Sequence, residues 1–358
     1  MLSQWVIDLQ FSDAALPSYG ALKIHHTPSA MGAEGTPFYR VSPYVSNLGV
    51  MGLVSAKRPQ HLQTAKLWID WYLAHLTPQS APDGVPLEHF YRADGGGETT
   101  CVRPGDAKLC RYNDATDSAA ATFFCVLRAS REAGVPDAFF LQTGRREKIE
   151  NLAGVLLQLQ QKDGLCWAKS DYRVKYLEDN SEVFAGLRDL AAIERSVFHD
   201  EKQARFYTQA AERVRAGIIR ELYDANAQLY RIAKFEDGTF QTANLAKWYP
   251  DTQAQMWPHL WGVVAPKDAK SQAVVKALNT RWNERNQRDW ATNPGAVNDG
   301  WIESGVAYAM FLAGDETRLQ NYVAAVRRLK FPTPGRKGFD WPFSLADAGW
   351  LLRILARF

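Results

Sequence analysis

Two short stretches of this chain hold acids at spacings suited to chemistry. Residues 111–117 read Arg-Tyr-Asn-Asp-Ala-Thr-Asp and place Asp114 and Asp117 three apart; residues 177–182 read Leu-Glu-Asp-Asn-Ser-Glu and hold Glu178, Asp179 and Glu182. Acids at i, i+3 or i, i+4 share one face of a helix, so both carboxyls of such a pair can point into one cavity. Cleavage of a glycosidic bond needs two carboxyls. One, protonated, gives its proton to the leaving oxygen, and the other, ionised, activates water or attacks carbon. Apolar or like-charged surroundings keep the first one protonated. The competing use of the same spacing is helix capping, which Asp114 with Asp117, Asp179 with Glu182, and Ser344 with Asp347 all satisfy.

The neighbouring residues favour chemistry. Trp167, Lys169, Asp171, Tyr172, Lys175 and Tyr176 crowd ahead of the second cluster; Trp248, Tyr249 and Trp257 surround Asp251; and Trp301 stands between Asp299 and Glu303. A cap has no use for aromatic rings, whereas sugars lay their C–H faces on them. Of the 12 tryptophans, Trp68, Trp71 and Trp282 fall within helical patterns and are expected in the core.

The elements that must position these groups are amphipathic helices. Apolar residues recur at three-and-four spacing, as in Leu62, Ala65, Ile69, Tyr72, Leu73 and Leu76. The pattern predicts helices at 43–56, 59–77, 114–134, 143–162, 179–198, 201–224, 250–264, 267–283, 298–313, 315–330 and 344–357. Short turns alternate with long, aromatic and charged loops, several opening on Asp-Gly, which gives a loose repeat of helical hairpins. Five hairpins and a last helix, completed by the N-terminal segment, predict an all-α, closed (α/α)6 toroid spanning 1–358 as one domain. Its long loops and inner-helix N-termini would share one face.

With 358 residues, 46% of them hydrophobic, the chain has ample core-forming material, and a net charge of +3 without a basic stripe argues against a nucleic-acid partner. No apolar run suits a membrane span. Cys101 and Cys110 flank a polar loop and suit a disulfide, hence an oxidising compartment; periplasmic or secreted placement, with a leader absent from this sequence, is the expectation. Cys125 and Cys166 read as buried thiols. No metal ligand set or phosphate loop emerges, so no metal or cofactor is expected, and the partner is an oligo- or polysaccharide bound by a monomer.

Around Asp117 the sequence Ala-Thr-Asp-Ser-Ala-Ala-Ala resembles the Ala-Thr-Asp-Gly-Asp signature of family-8 glycoside hydrolases, within the six-hairpin glycosidases. The resemblance implies an (α/α)6 fold, a polysaccharide hydrolase and a role for Asp117 near the cleavage point. It fails at that family's glutamate acid, because the matching stretch, Val-Ser-Pro-Tyr-Val-Ser-Asn, carries Tyr44 instead. The proton donor must then come from another loop, with Glu182 or Asp179 the best placed.

The expected catalytic groups are therefore Asp117 and Glu182, with Asp114 and Asp179 assisting or orienting. Tyr44, Asn47, Trp167, Lys169, Asp171, Lys175, Tyr176, Trp248, Tyr249, Asp251 and Trp301 are expected to line the cleft. Lys169, Arg173 and Lys175 fit an acidic sugar or a solvated loop equally well. The leading reading is an inverting hydrolase of a polysaccharide such as a bacterial exopolysaccharide. Its alternatives are a polysaccharide lyase with Tyr172 or Tyr176 as base, His89 and His259 being the only histidines suited to that face, and a non-catalytic glycan-binding protein.

Overall fold

The computed structural model describes residues 1–31, 35–78, 84–97, 99–100, 113–283, 285, 288–297, 300–330 and 343–357. Cys101, Cys110 and Asp299 lie outside them. Among the described residues no helix is long and apolar enough to cross a membrane.

The helices are α1 (Leu2–Ile7), α2 (Pro43–Val54), α3 (Pro59–Ala74), α4 (Thr116–Ala133), the single turn α5 (Asp137–Phe140), α6 (Arg145–Leu159), α7 (Leu177–Ser196), α8 (Glu201–Gly217), α9 (Trp257–Leu260), α10 (Ala269–Arg281), α11 (Ser304–Leu312), α12 (Glu316–Lys330) and α13 (Leu345–Leu355); α1 and α5 lie outside the predicted helical segments, and the others fall on them. Their starts follow capping chemistry. Ser42 accepts from the Val45 N–H ahead of Pro43, Asp200 from that of Gln203, and Ser344 with Asp347 completes a reciprocal capping box.

Helices α2, α4, α7, α9, α11 and α13 touch in that order, and α13 returns to α2, closing an inner ring. The outer layer pairs α3 with α2, α6 with α4, α8 with α7 and α12 with α11, while α10 packs on the turn at 254–256 that precedes α9 and α1 packs on α13. The N-terminal helix thus completes the sixth hairpin, and the chain is a closed (α/α)6 toroid. Burial reflects the two layers. Inner α2 is buried nearly all round, whereas α8 buries the single stripe Ala204, Tyr207, Ala210, Ala211 and Val214. The closing seam depends on small residues: a Cβ on Gly52 would stand 1.9 Å from the Gly349 carbonyl oxygen, and one on Gly349 would stand 2.2 Å from that of Leu48.

Three predicted helices change form. The 250–264 segment is a broken run of a π turn (248–252), a 3-10 turn (254–256) and α9, because Pro250 and Pro258 have no N–H to donate. The 201–224 helix gives way after Gly217 to a π turn at 218–222. The 298–313 helix begins only at Ser304, since Glu303 takes a left-handed backbone, φ 49° and ψ 55°.

Small antiparallel sheets, absent from the sequence reading, brace the loops. β1 (Ala30–Met31), β2 (Pro37–Val41) and β3 (His89–Arg92) form one sheet. β4 (Val174–Tyr176), which leads directly into α7, pairs with β7 (Ala233–Phe235), which pairs with β8 (Phe240–Gln241); β5 (Tyr223–Asp224) and β6 (Leu229–Tyr230) form a hairpin.

Candidate active site

At the N-terminal ends of the inner helices lies a cavity of about 480 Å³. Its wall includes Asp114 and Ser118 from the start of α4, Glu178 and Asp179 from the first turn of α7, and Glu303 and Asp347 from the starts of α11 and α13. Tyr44, Tyr249, Trp257, Trp301 and Trp350 supply aromatic surface, and Gln253 lies among them. No Lys, Arg or His lines it among the described residues.

The α7 carboxyls are held in unusual states. Asp179 is pushed up to about 7, first by burial and then by the negative charge of Asp114. Glu178 is pushed well up by burial and by Asp179, Glu182 and Glu303. Glu182 lies just behind the wall: its Oε1 accepts from the Tyr44 hydroxyl at 2.7 Å and from Trp257 Nε1 at 3.0 Å. Burial lifts it to about 8 despite these donors. Asp117 is fully buried and does not line the cavity. Oδ1 accepts from the Ser118 N–H at 2.8 Å, Oδ2 has no hydrogen-bond partner, and burial with Asp179 and Glu182 nearby raises it strongly. Stacked carboxyls in low dielectric cannot all ionise, so they share protons.

The structure brings some of the expected residues to the cavity and leaves others away from it. Asp114, Asp179, Tyr44, Tyr249 and Trp301 line it, whereas Asp117 and Glu182, the expected catalytic pair, are buried and do not line it. Asn47 is core: its side chain donates to the Ala119 carbonyl and Thr122 and accepts from Trp68, tying α2 to its neighbours. Trp248 is buried edge-on against Trp282, and Asp251 caps a turn by accepting from the Asn244 N–H. Trp167 lies under Lys175, whose ammonium is buried and paired with Asp163 at 2.6 Å. Lys169 donates to the Asn113 carbonyl, Asp171 sits in an exposed turn, Arg173 pairs with Glu236, and the Tyr176 hydroxyl is bonded to that of Tyr172. Loop aromatics and cations next to a helix start can brace the loop as well as face the cavity, and the sequence does not separate the two.

Sequence reasoning passed over Glu178, Glu303, Gln253 and Trp350. Glu178 and Glu303 did appear among the acids at helix starts, but nothing local marks their side chains as facing inward.

None of the residues expected as a lyase base, Tyr172, Tyr176, His89 or His259, lines this cavity. Burial and the bonded Tyr172 push Tyr176 up, the wrong direction for a base. His89 is buried among Trp71, His75 and Tyr91, and His259 is buried against the Ala309 carbonyl, away from this cavity.

No family model and no curated protein sequence matches the chain. Solved structures do. A glycosidase variant in complex with glucose superposes with a TM-score of 0.63 at 12% identity, over 99% of this chain and 95% of that one. A GH76 alpha-mannanase from Bacteroides thetaiotaomicron gives 0.54 at 15% identity over 91% of each chain. A D-mannose isomerase gives 0.60 at 9% identity, over 100% of this chain and 96% of that one. At these identities the likeness is one of fold, and that fold is shared by glycosidases and by a sugar isomerase.

Proposed function

We propose that this protein is a glycoside hydrolase with Asp179 as the proton donor. The observation that carries the reading is a carboxyl with a pKa of about 7 in the wall of a cavity lined by aromatic rings. A donor works best when its pKa lies near the working pH, and this one is surrounded by the rings a sugar stacks on. Glu182 and Asp117, buried behind Asp179, keep that corner of the cavity short of negative charge by holding protons. Their role is to position and tune the donor, and Asp114 completes the array from α4. Inversion is the expected stereochemistry, since a cavity of this size leaves room for a water beside the sugar.

The substrate read from the cavity is a neutral glycan, a bacterial exopolysaccharide among the candidates. Two of the three cations that suggested an acidic sugar, Lys175 and Arg173, are paired with Asp163 and Glu236, and Lys169 is bonded to a carbonyl. An exported monomer is the accompanying expectation. The test is reducing-sugar release from a panel of mannans, α- and β-glucans, xylan and chitosan, with Asp179→Asn as control. Product absorbing near 230 nm, the mark of an unsaturated uronide, would replace this reading with a lyase. Glycan binding without cleavage, unchanged in Asp179→Asn, would replace it with a binding protein.

A further inference from the structure

We propose that Glu303 is the second catalytic carboxylate, the group that takes the proton of the attacking water; the proposal rests on the glycosidase reading above. Glu303 occupies the N-cap of α11, where an acid ordinarily folds back onto the first N–H groups of its own helix. It does not do so here. Its side chain makes no capping bond, and the Ser304 N–H instead donates to Oδ1 of Asp347, on α13, at 3.1 Å. Asp347 thus caps two helices, its own through Oδ2 and α11 through Oδ1. The Glu303 carboxylate is left to the cavity wall.

The backbone directs it there at a cost. A left-handed conformation in a residue other than Gly, Asn or Asp is disfavoured and persists only where its surroundings impose it. With the Gln253 amide nitrogen facing it, Glu303 accepts at 2.8 Å on Oε2 and 3.2 Å on Oε1. A donor shared by both oxygens holds the group in one orientation. Glu303 is also close enough to raise Glu178 and Tyr249 through its charge, and it shares the cavity wall with the first turn of α7.

The step balances. The glycosidic C–O bond breaks as the Asp179 proton passes to the leaving oxygen. A water oxygen bonds to the anomeric carbon and its proton passes to Glu303. Asp179 ends ionised and Glu303 protonated, and exchange with solvent restores both.

Glu303→Gly and Glu303→Ala, assayed on whichever glycan of the panel the wild type cuts, test this. Glycine accepts the left-handed backbone, so Glu303→Gly is expected to melt no lower than wild type yet to cleave at least 1,000-fold more slowly. Sodium azide should restore turnover in both variants by taking the place of the activated water, with a glycosyl azide as the product. Near-wild-type rates in Glu303→Gly, or lost activity that azide does not restore, would overturn the proposal while leaving the glycosidase reading intact. A wild-type protein that cuts nothing on the panel would overturn both.

Discussion

The two ends of the inner ring carry opposite charge and different kinds of order. At the C-terminal ends a cavity of about 910 Å³ is lined by Lys57, Arg128, Arg188, Arg353 and Arg357 against Glu132 and Asp189. Much of this charge is accounted for by partners. Arg128 bridges Glu132 and Asp189, Arg188 meets Asp189 and the Trp261 carbonyl, and Arg353 lies over Tyr308 and Trp350. Cations there also face the negative ends of the inner helices, so dipole and ion pairing together explain them. At the N-terminal ends the acids likewise have the sign that helix dipoles favour, but more of them are present than capping needs. Asp347 caps two helices while burial first, and neighbouring acids second, push Glu178, Asp179 and Glu182 up. The sign of charge at a helix end is therefore a poor guide to function; what separates the ends is that one set of charges is paired and the other is held in mutual conflict.

The strongest way to break this comparison is to disarm the acidic end. Asp179→Asn is expected to cut turnover by a factor of about 100 to 10,000, the usual worth of a general acid, with circular dichroism unchanged. Activity above a tenth of wild type would remove Asp179 from the chemistry.

Disarming the paired end should do the reverse. Asp189→Asn deprives Arg128 and Arg188 of a shared partner, but both arginines are more than a third exposed, at 34% and 44%, so solvent screening limits the loss to about 1 kcal/mol. The melting temperature falls by a few degrees and kcat stays put; a tenfold loss of kcat would mean that the two ends are coupled.

Titration sharpens the contrast further. Asp179 and Glu182 have folded-state values of about 7 and 8, against about 4 for an unfolded carboxyl. The native state therefore holds these protons more tightly than the unfolded chain. Their stabilisation is complete below about pH 4 and is lost as pH rises through 7 to 8. Melting temperature should decline from pH 5.5 to 8.5, and Asp179→Asn should flatten the decline; an unchanged slope would show that the cluster does not store the conflict described. Activity should fall over the same interval as the donor loses its proton.

The smallest effect is expected at the rim. Tyr249 is 58% exposed and lines the cavity. Tyr249→Ala should raise KM by about three- to tenfold, through loss of one stacking surface worth about 1 kcal/mol, and leave kcat unchanged.

Much of the architecture was readable from periodicity alone, because each helix of the ring buries a face whose spacing is written locally. The exceptions have local causes seen only in hindsight: Pro250 and Pro258 interrupt a segment whose apolar pattern is otherwise helical, and the short strands before α7 follow from pairing across distant loops. At the site, Asp114 and Asp179 could be found from spacing, Tyr249 and Trp301 from aromatic company, and Tyr44 from the stretch matched to the family-8 acid. Asn47, Trp248 and Asp251 could not be set apart from them, because a polar or aromatic residue at a helix start looks the same whether it turns inward to the core or outward to a cavity.

The sequence by itself determined that acids would gather where inner helices begin, since N-caps select them and a closed ring brings every inner N-terminus to one face. The tertiary structure decided which of those acids are caps and which are left for chemistry. Asp347 takes over the capping of α11 from a residue 44 positions earlier in the chain, and that exchange, with a left-handed turn at Glu303, is made by two helices meeting across the ring. No local pattern encodes it, because the N–H that Asp347 satisfies belongs to a different helix.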